Sequence, residues 1–127
     1  MLNVSLWALQ FLLAVVFLAH GWMFLWPPAS MVQQLNASIG PGMRVFIGVA
    51  EVLAAAGLTL PGLTRRLPGL VPTAAGGLAV LMINATIFHL ARGETSSAAV
   101  TAVLLALTSS VTYMRWKVMP IPPRTVA

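Results

Sequence analysis

The sequence contains no cysteine and no aspartate, and Glu51 and Glu94 are its only acidic residues. The absence of cysteine excludes disulfide bonds, a thiolate nucleophile and thiolate metal ligands, and it leaves the redox compartment undefined. Charged residues make up 7% of the 127 residues, whereas soluble domains carry roughly 25%. A chain with so few charges cannot cover a water-facing surface. We therefore expect its solvent to be a lipid bilayer.

Hydrophobic residues account for 59% of the chain, and the mean hydropathy is +0.93. They form four long blocks, at about 4–26, 43–60, 70–91 and 98–113. Each block is close to the roughly 17–25 residues that span the hydrocarbon as a helix. The first is too long for the core of a signal peptide and has no basic start, so we expect it to be retained. The pattern predicts an all-α, integral membrane four-helix bundle in a single domain.

Two segments outside these blocks have their own character. Between the first two blocks, Met31, Leu35 and Ile39 repeat every four residues, which predicts a short amphipathic helix at the membrane interface. The Gly40-Pro41-Gly42 triplet is expected to end it. After the fourth block, residues 114–127 contain the proline-rich run 120–123. They are expected to form an extended tail.

The basic residues sit at the ends of the apolar blocks, not on one face or stripe, so the +5 net charge does not indicate a nucleic-acid partner. Four crossings place both termini on one side of the membrane. That side would hold Arg65, Arg66, Arg115, Lys117 and Arg124. The other side would hold Arg44 and Arg92, with Glu94 as a partial offset. By the positive-inside rule, we expect a multi-pass plasma-membrane protein with both termini in the cytoplasm.

Small residues are expected to pack the bundle, because lipid gives no hydrophobic drive for helix association. Ala98, Ala102 and Ala106 form a stripe along the fourth helix. We expect this stripe to be a close contact, either within the bundle or across a dimer. A homo-oligomer or a complex with another membrane protein is the expected assembly.

Four polar side chains within the apolar blocks are candidates for a site: His20, Glu51, Asn84 and His89. Ionisable groups at membrane depth are costly and commonly mark function. At 1.5 Å per residue, Glu51 lies roughly 12 Å and His20 about 9 Å from the outer face. His89 lies within a turn of that face. Arg44 is two helical turns before Glu51 and shares its helix face, so we expect a polar pocket that opens outward.

Other interpretations of these residues stay open. Glu51 could be a structural clasp, held between helices by a histidine or an arginine. Two histidines and one carboxylate could form a metal site, but the spacing supplies no local ligand pair, so no metal is predicted. His89 could be solvated near the interface. Asn84 could provide an interhelical hydrogen bond and no more.

The segments GVAEVLAAAGLTLPGLTRRLPGL (48–70) and AAGGLAVLMINATIFHLARGE (74–94) resemble the DoxX-like family of small four-helix membrane proteins. The first matches the family's Gly-x-x-Glu helix with its Leu-Pro-Gly turn. The second matches a small-residue helix that ends in His and Arg-Gly-Glu. His20-Gly21 resembles the family's first-helix pair. A lysine often follows that pair, and this chain has apolar residues there, so Arg44 is expected to substitute as the cation beside Glu51.

The resemblance implies a four-helix fold in a bacterial-type plasma membrane, with some family members linked to quinone-coupled oxidation and membrane oxidoreductase complexes. The first functional hypothesis is therefore an accessory or subunit of a membrane redox system that binds a quinone or a small apolar ligand. The alternatives are an assembly or stabilising factor for other membrane proteins, and a small enzyme or transporter for an apolar metabolite. The chain shows no haem, flavin or nicotinamide signature. It is thus expected to contain no cofactor of its own, with a quinone possible.

Overall fold

The computed structural model describes residues 1–125, and these residues form helices without any strand. The α-helices are α1 (Leu2–Leu25), α2 (Ala29–Ile39), α3 (Pro41–Thr64), α4 (Leu70–Ala91) and α5 (Thr95–Tyr113), followed by a π-helical turn (Met114–Val118). The spans Leu2–Leu25, Pro41–Thr64, Leu70–Ala91 and Thr95–Val118 are each long and apolar enough to cross a membrane. The predicted all-α fold is confirmed, with the short helix α2 between the first two spans.

Helix α3 is longer than the sequence pattern indicated. It runs through Pro61 and Gly62 to Thr64 and ends at Arg65, which adopts a left-handed conformation with φ of 56°. Proline disrupts a helix by removing one backbone N–H and crowding the preceding turn. Pro61 lies in the last turn, so the helix continues for only three residues beyond it. At the other end, Gly40 separates α2 from α3 with φ of 82°, a conformation that costs glycine little.

The expectation of an extended tail from residue 114 is wrong for its first part. Residues Met114–Val118 continue α5 as a π-helical turn, and the backbone N–H of Arg124 donates to the Arg65 carbonyl oxygen at 2.9 Å. The segment after α5 therefore returns to the loop between α3 and α4. We call this end of the bundle the arginine end, because Arg65, Arg66, Arg115 and Arg124 lie there. The opposite end, next to α2, is called the α2 end.

The helices pack in the order α1 on α3, α3 on α4 and α4 on α5. Leu13, Phe17, Leu58, Leu78 and Val111 are fully or almost fully buried at the centre. By contrast, α1 and α5 touch at few points. This arrangement leaves space between α1 and α5.

Glycines make the closest helix contacts. A Cβ added to Gly21 of α1 would lie 2.8 Å from the Gly48 carbonyl oxygen of α3, and one added to Gly57 would lie 2.8 Å from the Cβ of Ala74. In the predicted alanine stripe, Ala98 is buried but Ala102 and Ala106 are exposed. Those two alanines do not pack inside the bundle, and a contact across a dimer stays a prediction.

Candidate functional site

A cavity of about 1130 Å³ lies at the α2 end of the bundle. All five α-helices contribute to its wall, and most of the lining is apolar. Phe17, Phe24, Met31, Leu35, Phe46 and Leu104 are among the apolar side chains that line it. His20, Glu51, Asn84 and His89 line it as well. Four of the five predicted site residues therefore share one cavity.

His20 and Glu51 form the most buried polar pair of this cavity. Nδ1 of His20 lies 2.6 Å from Oε2 of Glu51, whose side chain is 1% exposed, whereas the His20 side chain is 44% exposed. The His20 ring also packs on Phe24 with centroids 4.4 Å apart. With Nδ1 engaged, Nε2 is the ring nitrogen left to meet a ligand. Glu51 thus lies inside the bundle, as expected, and the structure pairs it with His20.

The backbone explains how the two side chains meet. Gly21 follows His20 on α1, and Gly48 precedes Glu51 by one turn on α3. Their backbones approach so closely that any side chain at Gly21 would also press on the Cβ of Glu51, at 3.0 Å. The His-Gly pair and the Gly-x-x-Glu motif are therefore two halves of one helix crossing.

A second ion cluster lies at the edge of the cavity, between α4 and α5. Nδ1 of His89 lies 2.6 Å from Oε2 of Glu94, and Nε of Arg92 donates to Oε1 of Glu94 at 2.9 Å. The hydrogen bond with His89, and then the one from Arg92, hold the pKa of Glu94 below its ordinary value. Glu94 was read from the sequence only as an offsetting charge. The Glu94 carboxylate instead links His89 and Arg92 at the rim of the cavity.

Within the described part of the chain, the Asn84 side chain hydrogen-bonds within its own helix and not to another. Its Nδ2 donates to the Val80 carbonyl oxygen of the same helix at 2.9 Å. The bond between α4 and α5 is made by the hydroxyl groups of Thr86 and Thr101, which lie 2.9 Å apart. Asn84 is exposed and faces the cavity.

The expected pairing of Arg44 with Glu51 is wrong. Nε of Arg44 donates to Oδ1 of Asn36 at 3.0 Å, and its Nη1 donates to the carbonyl oxygens of Phe24 and Leu25. The last carbonyls of a helix have no intrahelical partner and carry partial negative charge. Arg44 of α3 therefore satisfies the end of α1 and also holds α2 through Asn36, and it is not among the residues of the cavity wall.

Gln10 and Arg115 form a buried polar pair that was not expected from the sequence pattern. Gln10 is fully buried; its Nε2 donates to the Leu58 carbonyl oxygen at 2.7 Å, and its Oε1 accepts from Nε of Arg115 at 2.5 Å. Gln10 is the one polar side chain in the first block between Trp7 and His20. A lone amide in an apolar run signals a buried partner. Arg115 was read only as an interfacial charge.

The metal alternative finds no geometry to support it. Among residues 1–125, no group of three or more histidine, cysteine, aspartate or glutamate side chains is placed to hold a metal ion. His20 and His89 bond to different glutamates. The polar groups of the cavity are thus arranged as two separate histidine–glutamate pairs.

Comparison with known proteins supports the resemblance that the motifs carry. The profile of the DoxX-like family matches residues 8–111. Searches of curated proteins and of solved structures gave no significant match. The matched region contains both halves of the α1–α3 crossing and both histidine–glutamate pairs. The chain therefore belongs to the DoxX-like family.

Proposed function

We propose that this multi-pass membrane protein is an accessory or subunit of a membrane redox system, and that its cavity binds a quinone headgroup. The observation that carries the proposal is the His20–Glu51 pair. A carboxyl group that is 1% exposed bonds a histidine whose ring lies in an apolar cavity. Such a pair is costly at membrane depth and is suited to bind a polar group there.

The residues of the cavity fit a quinone in two respects. The lining suits an apolar ring and tail, and the volume of about 1130 Å³ is close to the upper end of the roughly 300–1,000 Å³ usual for small-molecule pockets. His20 and His89 lie on different walls, so each could donate a hydrogen bond to a different carbonyl. A quinone is an electron carrier that takes up or releases protons with its electrons.

The His20–Glu51 pair can handle the proton side of that chemistry. The imidazole can hold a proton at Nδ1, shared with the carboxyl group, and exchange one at Nε2, which faces the ligand. Glu51 holds the ring in place through its contact with Nδ1. The electrons would pass between the ligand and a partner oxidoreductase.

We further propose that the arginine end faces the cytoplasm, which places the cavity in the outer half of the membrane. Five basic residues gather at the arginine end, namely Arg65, Arg66, Arg115, Lys117 and Arg124. Both glutamates lie towards the opposite end. This distribution follows the positive-inside rule.

Purification from native membranes in mild detergent tests the proposal. Bound lipids would be extracted and identified by mass spectrometry, and co-purifying chains by peptide sequencing. A quinone at a near-stoichiometric level or an oxidoreductase subunit would support it. A changing set of client membrane proteins, with no quinone, would favour an assembly factor instead.

Direct binding provides the second test. A quinone with a short alkyl tail would be titrated into the protein in lipid nanodiscs. We expect Glu51→Gln to weaken binding by about tenfold, the effect of losing one charge-assisted hydrogen bond. Arg66→Gln, at the arginine end, is the control and should bind as the native protein does. Equal affinity of the native protein and Glu51→Gln would refute the role of the pair.

A further inference from the structure

A second, smaller pocket of about 340 Å³ lies at the arginine end. It is bounded by the start of α1, the end of α3 and the segment after α5. Its polar lining comes from Asn3, Arg65 and Arg115, and its apolar lining includes Trp7, Leu63 and Ile121. The pocket is separate from the His20–Glu51 cavity, and no part of the proposed redox function uses it.

Arg115 is the unusual residue of this pocket. It is 2% exposed, and the π-helical turn carries it inward towards α1. Its Nε and Nη1 donate to Gln10, Asn3 and the Met119 carbonyl, and its carbon Cζ lies 5.3 Å from the Trp7 ring centroid. Within residues 1–125, Nη2 of Arg115 is buried without a hydrogen-bond partner.

The charge of Arg115 is also unbalanced. All of its hydrogen-bond acceptors are neutral, and the only side-chain carboxylates of the protein, Glu51 and Glu94, bond to histidines near the α2 end. Removing an ion from water is costly unless an opposite charge is supplied. Arg65 also lines this pocket, and within residues 1–125 no carboxylate lies there, so an anion from outside the chain would balance the charge.

We propose that this pocket binds a phosphate group, with the headgroup of an anionic phospholipid as its membrane source. Guanidinium groups match phosphate oxygens with paired hydrogen bonds. The pocket lies at one end of the candidate membrane spans, and lipid phosphates lie at the ends of such spans. The apolar wall of Trp7, Leu63 and Ile121 suits the glycerol and the first acyl carbons. One lipid would thus neutralise Arg115 and join α1, α3 and the end of α5.

Native mass spectrometry of the full chain in detergent tests this site. The protein would be titrated with phosphatidylglycerol and, separately, with zwitterionic phosphatidylcholine. We expect a single phosphatidylglycerol to bind about tenfold more tightly than phosphatidylcholine. The matched variants are Arg65→Gln, which changes the pocket, and Arg66→Gln, which changes the exposed neighbour outside it. Arg65→Gln should lose most of the preference, and Arg66→Gln should keep it.

Arg115→Lys adds a second measurement, because it keeps the positive charge and removes the forked donor. It should bind phosphatidylglycerol more weakly than the native protein does. Protection against thermal unfolding by millimolar inorganic phosphate, lost in Arg65→Gln, would support the same site with a free anion as its source. Equal binding of the two lipids, or equal effects of Arg65→Gln and Arg66→Gln, together with no protection by phosphate, would overturn the proposal.

Discussion

Gly21 of α1 and Gly48 of α3 face each other where the two helices approach closely beside the cavity. A Cβ on Gly21 would lie 2.8 Å from the Gly48 carbonyl oxygen, and a Cβ on Gly48 would lie 3.0 Å from the Gly21 carbonyl oxygen. Both of these contacting atoms belong to the backbone, so a change of side-chain rotamer cannot relieve the clash. The crossing therefore sets the distance between His20 and Glu51.

Gly21→Ala is expected to destabilise the bundle by on the order of 1–3 kcal/mol, because overpacking forces the helices apart. Thermal unfolding in detergent would measure it. Gly77→Ala is the matched control, since a Cβ on Gly77 of α4 meets no atom within 4 Å. Alanine favours the helix over glycine by roughly 0.5–1 kcal/mol, so this variant should be as stable as the native protein or more so. Equal destabilisation by the two changes would contradict the close crossing.

Substitutions of Glu51 should separate a functional carboxyl group from a structural clasp. Glu51→Gln keeps the shape and a hydrogen bond to His20, so we expect native folding with weaker quinone binding. Glu51→Ala leaves His20 without its partner and should cost roughly 1–3 kcal/mol of stability. Thermal unfolding and quinone titration of the same preparations would decide. Unchanged binding by Glu51→Gln, with unfolding of Glu51→Ala, would identify Glu51 as a clasp only.

The cluster around Glu94 predicts a stability change at acidic pH. Because its pKa is lowered in the folded protein, the ionised carboxylate stabilises the fold at pH values above its ordinary pKa. That contribution is lost as the pH falls through the lowered, folded-state pKa. The melting temperature of the native protein should therefore drop more between pH 6 and about pH 3 than that of Glu94→Gln. The effect should be small, since the carboxylate is partly exposed. An equal decrease in melting temperature for the native protein and for Glu94→Gln would contradict this prediction.

The proposed orientation can be tested by labelling introduced cysteines, because the native chain has none. Ala37→Cys lies on α2 and Thr64→Cys at the end of α3, and both positions are exposed. A membrane-impermeant maleimide added to intact cells should label Ala37→Cys and spare Thr64→Cys. Labelling after permeabilisation is the control for reactivity. The reverse pattern in intact cells would invert the topology.

The exposed stripe on α5 predicts contact between copies of the chain. Ala102 and Ala106 lie one turn apart on the surface, where small residues permit close helix approach in lipid. We expect Ala102→Leu to shift the protein towards monomer in light scattering of the detergent-solubilised chain. Val103→Leu, at an exposed neighbouring position, is the control. An unchanged oligomeric state in Ala102→Leu would exclude this face of α5 as the contact between copies of the chain.

The sequence pattern was sufficient for the membrane spans and for the depth of the polar residues. Apolar block length is set by bilayer thickness, and depth along a helix follows from its fixed rise. These two quantities placed Glu51 at a depth similar to that of His20 and His89, but they did not choose between the two histidines. The DoxX-like family is shown by the profile match over residues 8–111, and two of the motifs that carried the resemblance, His-Gly and Gly-x-x-Glu, form the α1–α3 crossing.

Rotation about each helix axis is what the sequence pattern could not provide. In lipid, apolar residues face both the core and the membrane, so hydrophobicity does not mark the buried face. Arg44 shares a helix face with Glu51 by spacing, yet it turns to the free carbonyls at the end of α1. Arg115 belonged to the predicted tail, yet it lies inside the bundle. Both arginines are held by neutral oxygen acceptors, which charge pairing alone does not predict.

The bond between Gln10 and Arg115 joins residues that are 105 positions apart in the chain. During synthesis, Gln10 enters the membrane long before Arg115 has been made. While α3 and α4 are inserted, the amide oxygen of Gln10 therefore has no hydrogen-bond partner or has only a temporary one. Insertion of the last span supplies the guanidinium and links the end of the chain to α1. A chain that ends before residue 115 would keep the Gln10 oxygen of its first helix without this guanidinium partner. A membrane protease or an insertion chaperone could recognise such an unpaired polar group as a sign of incomplete folding.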